Sequence, residues 1–560
     1  MSEVPAYPAI EPTTFDVIVV GSGLPESIIA AAASAAGKSV LHIDPNPFYG
    51  SHFSSISLPE LLSFLHSHSV PAADSSAAAA ADDNDDDKKN ISVIGLSGRP
   101  LYSDVEAFPI PPELQTSRKF CLDVSGPRVL FCAGRTIDLL MKSGVSQYLE
   151  FKSIDRSYIA DAAHDDGTNG THLSVVPDSR SAIFNDPTLA LIDKTKLWHF
   201  FQHILDHLQA LAAGRPGLVS QQDLDTPFAH FLDKNRLSPK IKSIILYAIA
   251  MANYDQTHVD ASKNLLKTSD GINRLALYLS SLRRFPNASG AMLYPMYGQG
   301  ELPQAFCRRA AVKGCLYVLR MHVVAVLVDR SNARGVGIRL ASGQDLFSQQ
   351  LVLDTVFSVS RPSDLSLRDS PAYHGPIDIQ GKIARSICIT RKPLNSDASN
   401  LLAVYPPRSL YPEQAASVRV LQFGSSLAVC PKDMFVWYLS ALCSNADEGK
   451  KLLNAAIAAL STSRSTERNF YGEDGSFSQS EDVGESKPDL VWRTIYVQEV
   501  TEGSCGSVSS SFSPDGELGY DDLIDATQKM FQKLFPNDKF FPDEPPSEDS
   551  LEDHGQDLEL

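Results

Sequence analysis

Between Phe15 and Asp44 the chain reads as a complete strand, turn, helix and strand, and no other feature constrains the fold as much. Phe15-Asp16-Val17-Ile18-Val19-Val20 is an almost continuous apolar run, the pattern of a strand covered on both faces. Gly21-Ser22-Gly23 follows as a tight turn, the small residues from Ser27 to Ala36 predict a helix stopped by Gly37, and Ser39 to Asp44 predict a second buried strand. Strands joined through a helix run parallel with a right-handed crossover, so the unit opens a Rossmann-like sheet. A dinucleotide turn needs glycines for close pyrophosphate approach, with the helix N-terminus supplying partial positive charge. Gly21 and Gly23 are present, but the third glycine is replaced by Glu26, whose carboxylate would compete with a pyrophosphate. Asp44 stands where an acidic side chain can bind a cofactor ribose, or it caps the next turn.

A chain of 560 residues exceeds one hydrophobic core and predicts two or more domains. Its net charge of -18, with no segregated basic patch, argues against nucleic acid. The eight cysteines form no CxxC pair, no basic segment followed by an apolar run opens the chain, and no uninterrupted apolar stretch is long enough to span a membrane. These features predict a reducing, cytoplasmic setting. The ending Leu558-Glu559-Leu560 lacks a CaaX cysteine and predicts that the chain is not itself prenylated.

The pattern divides the chain into a flexible N-terminus (1–14), a sheet domain begun by 15–71 and 91–189, and an Ala-, Ser- and Asp-rich disordered insertion at 72–90. A helical domain at 190–290 follows, then the remainder of the sheet domain at 291–535 with a flexible loop at 461–487, and a disordered acidic tail at 536–560. Within the helical stretch, Leu197, Phe200, Phe201, Ile204, Leu205, Leu208 and Leu211 predict one amphipathic helix. Ser238-Pro239 opens a second and Asp270 a third. His199, His203 and His207 recur every four residues, but they are expected on the side away from the leucine stripe and no HExxH motif accompanies them. They are read as a solvated face, with no metal site. No Ser-His-Asp or Cys-His signature is recognisable, so no catalytic residue is assigned.

Phe15 to Gly50, FDVIVVGSGLPESIIAAAASAAGKSVLHIDPNPFYG, resembles the first conserved region of the Rab GDP-dissociation inhibitor and Rab escort protein superfamily. Ala133 to Phe151, AGRTIDLLMKSGVSQYLEF, is similar to its second region, and Leu293 to Leu319, LYPMYGQGELPQAFCRRAAVKGCLYVL, to its third. With Ser386-Ile387-Cys388-Ile389 and Val491-Trp492 the resemblance runs from about 15 to 500. It implies an α/β, FAD/NAD(P)-binding-type sheet domain that keeps no cofactor, plus an inserted all-helical domain. It also implies a Rab-binding platform at Tyr49, Glu301, Arg308 and Val318, with Gly21, Gly23 and Glu26 a degenerate, structural turn. Val318 stands for a methionine of the dissociation inhibitors, and Phe48 for a common tyrosine. Taken alone, Tyr49 could pack at a strand end, Glu301 sit in a first helical turn, Arg308 pair locally and Val318 be buried in a strand.

The length between the first two regions and after 461, with Leu24-Pro25-Glu26-Ser27 and Pro488-Asp489-Leu490-Val491-Trp492, looks like the escort branch. That branch implies partners: GDP-form Rab GTPases, the α/β heterodimer of Rab geranylgeranyltransferase, the geranylgeranyl lipid and transient membrane contact. Catalysis would lie in the heterodimer. Moving the lipid out of water is worth up to about 16 kcal/mol, so its carrier needs a comparable apolar cavity, and the helices of 190–290 are the candidate walls. The competing readings are a dissociation inhibitor recycling prenylated Rabs and an FAD-dependent oxidoreductase, the latter opposed by Glu26.

Overall fold

The computed structural model describes residues 8–69, 90–115, 119–126, 128–161, 172–257, 265–359, 379–461 and 488–543. All but the edges of the expected insertion at 72–90 and of the loop at 461–487 lie outside them.

The opening unit folds as its pattern dictates. Thr14–Val20 pairs in parallel with Val40–Asp44 through the helix Leu24–Ala35. The same first strand also pairs in parallel with Asp345–Leu353, more than 300 residues away, which places late chain at the centre of the first sheet. That sheet runs Leu316–Leu319, Val40–Asp44, Thr14–Val20, Asp345–Leu353, Arg334–Leu340, Val323–Asp329, Ile91–Gly98 and Phe357–Val359, with Val508–Ser510 beside Asp345–Leu353. The first four strands are mutually parallel and the rest of the path is antiparallel. One face is covered by Leu24–Ala35, Glu301–Val312 and Asp521–Leu534, whose apolar side chains form one core.

A second sheet of eight strands runs from Leu173–Val175 to Tyr102–Ala107. Its middle strands, Ile379–Thr390, Phe435–Cys443 and Leu490–Thr501, pair antiparallel and bury Trp437, Tyr438, Trp492 and Tyr496. Between Arg180 and Ser281 the described chain is helical without an intervening strand, and the core of this unit is continuous with that of the second sheet through Leu402, Val404 and Leu421. Its longest helix, Leu191–Ala212, buries Leu197, Phe200, Phe201 and Ile204. Leu211 does not share the stripe and is exposed at the last turn. Pro239–Ser243 continues into a π-helical turn, Ile244–Ile249, all of whose side chains are buried.

Three expectations are corrected. His207 is buried: its Nδ1 accepts from the Val219 amide at 3.0 Å, because the chain after Gly214 folds back over what the helix pattern marks as its wet side. Ile10 lies within the segment expected to be flexible, yet it is buried and exchanges two hydrogen bonds with Gln344. The C-terminal segment stays ordered to residue 543, since Phe541 packs on Phe306 and Phe540 and Lys38 pairs with Asp538 at 3.0 Å. No helix among the described residues is long and apolar enough to cross a membrane. Phe541→Ala should lower stability by about 3 kcal/mol, measured by chemical denaturation, because it opens a cavity against the helix Glu301–Val312.

Candidate functional site

The turn after the first strand is closed from inside. Gly21 adopts φ +99°, and a side chain there would meet the Cβ of Asp354 at 2.4 Å, so only glycine lets Asp354 approach. The Gly21 amide donates to the Ile43 carbonyl at 2.8 Å. The Ser22 amide and hydroxyl both donate to Asp44 Oδ2, at 2.7 and 2.5 Å. Ser22 in turn accepts from the Gly50 amide at 3.0 Å, and Pro25 has no amide hydrogen to offer. Two amides of the turn that could face a diphosphate are therefore already used, Pro25 offers none, and Ser22 occupies the Asp44 oxygen that could hold a ribose hydroxyl.

Glu26 is fully buried behind Gly23, where a side chain on Gly23 would meet its Oε2 at 2.4 Å. One of its oxygens accepts from Ser511 and the other has no partner. Burial first, then the neighbouring Asp354 carboxyl, push its pKa well above the ordinary range, so Glu26 is a neutral packing group rather than the pyrophosphate-repelling anion expected from sequence. Burial raises Asp354 as well and brings Asp44 to about 6. A dinucleotide does not fit this arrangement.

The turn is wired to the surface by His42. Its Nε2 donates to the Gly21 carbonyl, which fixes the tautomer and leaves Nδ1 to accept from the Tyr317 hydroxyl. Burial lowers His42 to about 4, keeping it neutral. The Tyr317 ring meets Tyr49 edge-on at 5.9 Å. Tyr49 is half-buried, its pKa raised by burial and then by the nearby Cys307 thiol of the helix Glu301–Val312.

That helix carries Glu301 and Arg308 at its outer face. Its start is fixed by Gly298, at φ +101°, packed so closely on Ser55 and Asp123 that no side chain would fit. Asp123 is buried, accepts from Ser55 Oγ, the Gln299 amide and the Tyr294 hydroxyl, and is raised to about 6 by burial. Glu301 Oε2 accepts from the Tyr297 amide at 2.9 Å, and burial raises its pKa. Arg308 is exposed, its guanidinium 4.5 Å from the centre of the Tyr148 ring.

Of the four expected residues, Glu301 and Arg308 share one helix face, and Tyr49 approaches the same helix at Cys307. Val318 does not join them. Successive strand residues point to opposite faces, so with Tyr317 turned toward Tyr49, Val318 packs against the core of the other face. Sequence reasoning missed Ser55, Asp123, Tyr148 and Tyr317, although the alternation around 317 could have found the last. Beside Tyr148 opens an apolar groove of about 440 Å³, lined by Ile137, Leu140, Met141, Leu149, Phe151 and Phe285. Among the described residues no group of three or more His, Cys, Asp or Glu side chains is arranged to hold a metal ion.

The profile of the GDP dissociation inhibitor family matches residues 11–86 and 81–487. The chain is 47% identical over 566 residues to Rab escort protein 1 of Arabidopsis thaliana, covering 99% of this chain and 98% of that protein. It is 28% identical to the Rab proteins geranylgeranyltransferase component A of Drosophila melanogaster, covering 97% and 92%. Among solved structures it resembles the Rab GDI of Plasmodium falciparum with a TM-score of 0.67 at 17% identity, covering 94% of this chain and 99% of that one.

A carboxyl whose pKa is raised by folding supports the fold in its protonated form, and that support is lost as pH rises through the folded value. Thermal denaturation should therefore show stability falling from acid toward alkaline pH through the raised pKa of Glu26. Glu26→Gln should flatten this slope and match or exceed the parent at alkaline pH; a steeper slope would contradict a neutral Glu26.

Proposed function

The chain belongs to the GDP dissociation inhibitor family, and from that premise we propose that it is a Rab escort protein. It binds newly made GDP-form Rab GTPases, presents them to Rab geranylgeranyltransferase, and shields the prenylated product on its way to membranes. It is the accessory component of that system and performs no chemistry itself. The observation that carries this reading is likeness along essentially the whole chain to an escort protein, at 47% identity against 28% for the Drosophila component A.

The geometry supports the parts of the role. Arg308 is presented on the Tyr148 ring, Glu301 is held by the Tyr297 amide and Tyr49 by packing against the Tyr317 ring, so a protein partner meets a preorganised polar face. Val318, packed against the core on the other side of the edge strand Leu316–Leu319, is not part of this face. The apolar groove beside Tyr148 suits an aliphatic side chain of a GTPase seated on that face. In the helical unit, the buried aliphatic and aromatic side chains around the π-helical turn Ile244–Ile249 supply walls for a prenyl chain. A π turn is strained relative to an α turn, and it is the natural place for those walls to part.

The same unit exposes Leu191 at 72% and Ile192 at 70%, next to Phe184, whose carbonyl accepts from Lys194. Large apolar side chains left in water side by side mark a protein contact, and we assign this patch to the prenyltransferase.

In reconstitution, the catalytic heterodimer should prenylate a Rab only when this chain is added, and this chain alone should transfer nothing; full prenylation without it would overturn the escort reading. Arg308→Ala and Tyr49→Ala should each weaken Rab-GDP binding about tenfold, measured by titration calorimetry. Phe184→Ala with Ile192→Ser should reduce capture of the heterodimer and leave Rab-GDP affinity unchanged.

A further inference from the structure

The last described residues lie beside the helix that carries Arg308. Phe541 is buried against Phe306 of Glu301–Val312, with ring centres 6.2 Å apart, and Asp543, two residues on, is exposed. The seventeen residues that follow, 544–560, carry seven aspartates and glutamates and neither lysine nor arginine.

The surface beside that point has the opposite bias. In a chain of net charge -18, residues 302–328 contain Arg308, Arg309, Lys313 and Arg320 and no aspartate or glutamate. Arg308 and Arg320 are exposed, and among the described residues neither is paired with a carboxylate. Arg308 rests on the Tyr148 ring, a contact that leaves its N–H donors without an acceptor. Arg320 follows the edge strand Leu316–Leu319, where its amide donates to the Asn46 carbonyl at 3.2 Å, three residues before Tyr49. Glu301 lies two turns of helix away from Arg308, with its carboxylate already accepting from the Tyr297 amide.

Chain length permits the two to meet. Phe306 is on the buried side of the helix and Arg308 on the outer side, so a segment leaving Phe541 has to pass half-way round a cylinder about 10–12 Å across. That path takes about six extended residues at about 3.3 Å each, and seventeen are available. A segment tethered so near its target is present at an effective concentration of millimolar order. Exposed ion pairs are weak one by one, so such a contact is held by several together and is released by a partner of better complementarity.

We propose that residues 544–560 dock in cis on the outer face of the helix Glu301–Val312, around Arg308 and Arg320, and compete there with the Rab GTPase. The competition rests on the Rab-binding reading of this face; the docking does not. A face covered about two-thirds of the time lowers the apparent affinity for Rab about threefold.

Two calorimetric titrations on the full-length chain test this. In the first, every aspartate and glutamate of 544–560 is changed to Asn or Gln. Rab-GDP should bind this variant at least about threefold more tightly than the parent at about 0.1 M salt, and the gap should close at about 1 M, where charges are screened beyond about 3 Å. In the second, a synthetic peptide of residues 544–560 is added to the neutralised variant without any Rab. It should bind saturably, and Arg308→Ala with Arg320→Ala should weaken it at least about threefold. Equal Rab affinity of parent and neutralised variant, no saturable peptide binding, or peptide binding indifferent to the two arginines would each overturn the proposal. If Rab-GDP binds neither chain, the Rab-binding reading falls and the peptide titration still decides the docking.

Discussion

The bond pair from Ser22 to Asp44 is the contact on which the exposed face depends. By taking both the amide and the hydroxyl of the turn, Asp44 holds Gly21 so that its carbonyl meets His42 and its Cα admits Asp354. His42 then positions Tyr317, and Tyr317 positions Tyr49. The steps run from a buried turn to the half-buried Tyr317 and Tyr49 and each is geometrically specific, so a partner meeting Tyr49 does not have to order the loop around it. The same chain of contacts explains why the carboxyls are tolerated. Near Asp354, burial and mutual repulsion favour the proton, and a neutral Glu26 bonded to Ser511 costs far less than a buried charge.

What could be read in the sequence is what the chain does locally. The alternation of apolar strand and small-residue helix between Phe15 and Asp44 dictates its own fold, and Glu301 and Arg308, seven residues apart on one helix, share a face by helical geometry. What could not be read arrives from a distance. Asp354 and Ser511 close the turn from more than 300 and 480 residues away. The helix Arg135–Lys142, begun by a glycine that offers no cap, is capped by Asp521, which accepts from the Arg135 and Thr136 amides at 3.1 Å. A carboxylate in an acidic terminal region carries no mark of such a role. His207 fails for the same reason: periodicity tells which side of a helix is polar, not whether another segment will cover it. The tail fails because its acidic composition hides two adjacent phenylalanines, and those decide its place.

One short segment adds a polar tie between the helical unit and the sheets. Asp515, Gly516 and Glu517 are gripped by three arginines: Arg385 donates to the Asp515 carbonyl, Arg419 to that of Gly516, and Arg128 pairs with the Asp515 carboxylate. Arg419 also donates to the Met251 carbonyl at the end of the π-helical stretch, while Asn253 donates to Glu517. Although partial burial pushes the other way, Arg419 and then Arg274 hold the half-buried Glu517 below its ordinary range. A few residues on, Asp521 caps the helix Arg135–Lys142, whose Ile137, Leu140 and Met141 line the groove beside Tyr148. The helical unit and the helix that lines the groove are therefore both bonded to the same stretch of chain.

A dinucleotide fold and a protein-presenting face place opposite demands on the glycine turn. Cofactor binding leaves the turn amides and the ribose acid unsatisfied until the ligand arrives; a constitutive protein face needs them satisfied at all times. Ser22, Pro25 and Glu26 meet the second demand, supplying a hydroxyl for Asp44, removing an amide at the helix start and filling the space behind Gly23. Closure of the turn to a diphosphate and rigidity of the face around Tyr49 then come from one set of contacts, because the interactions that close the turn are those that carry its position outward to Tyr49.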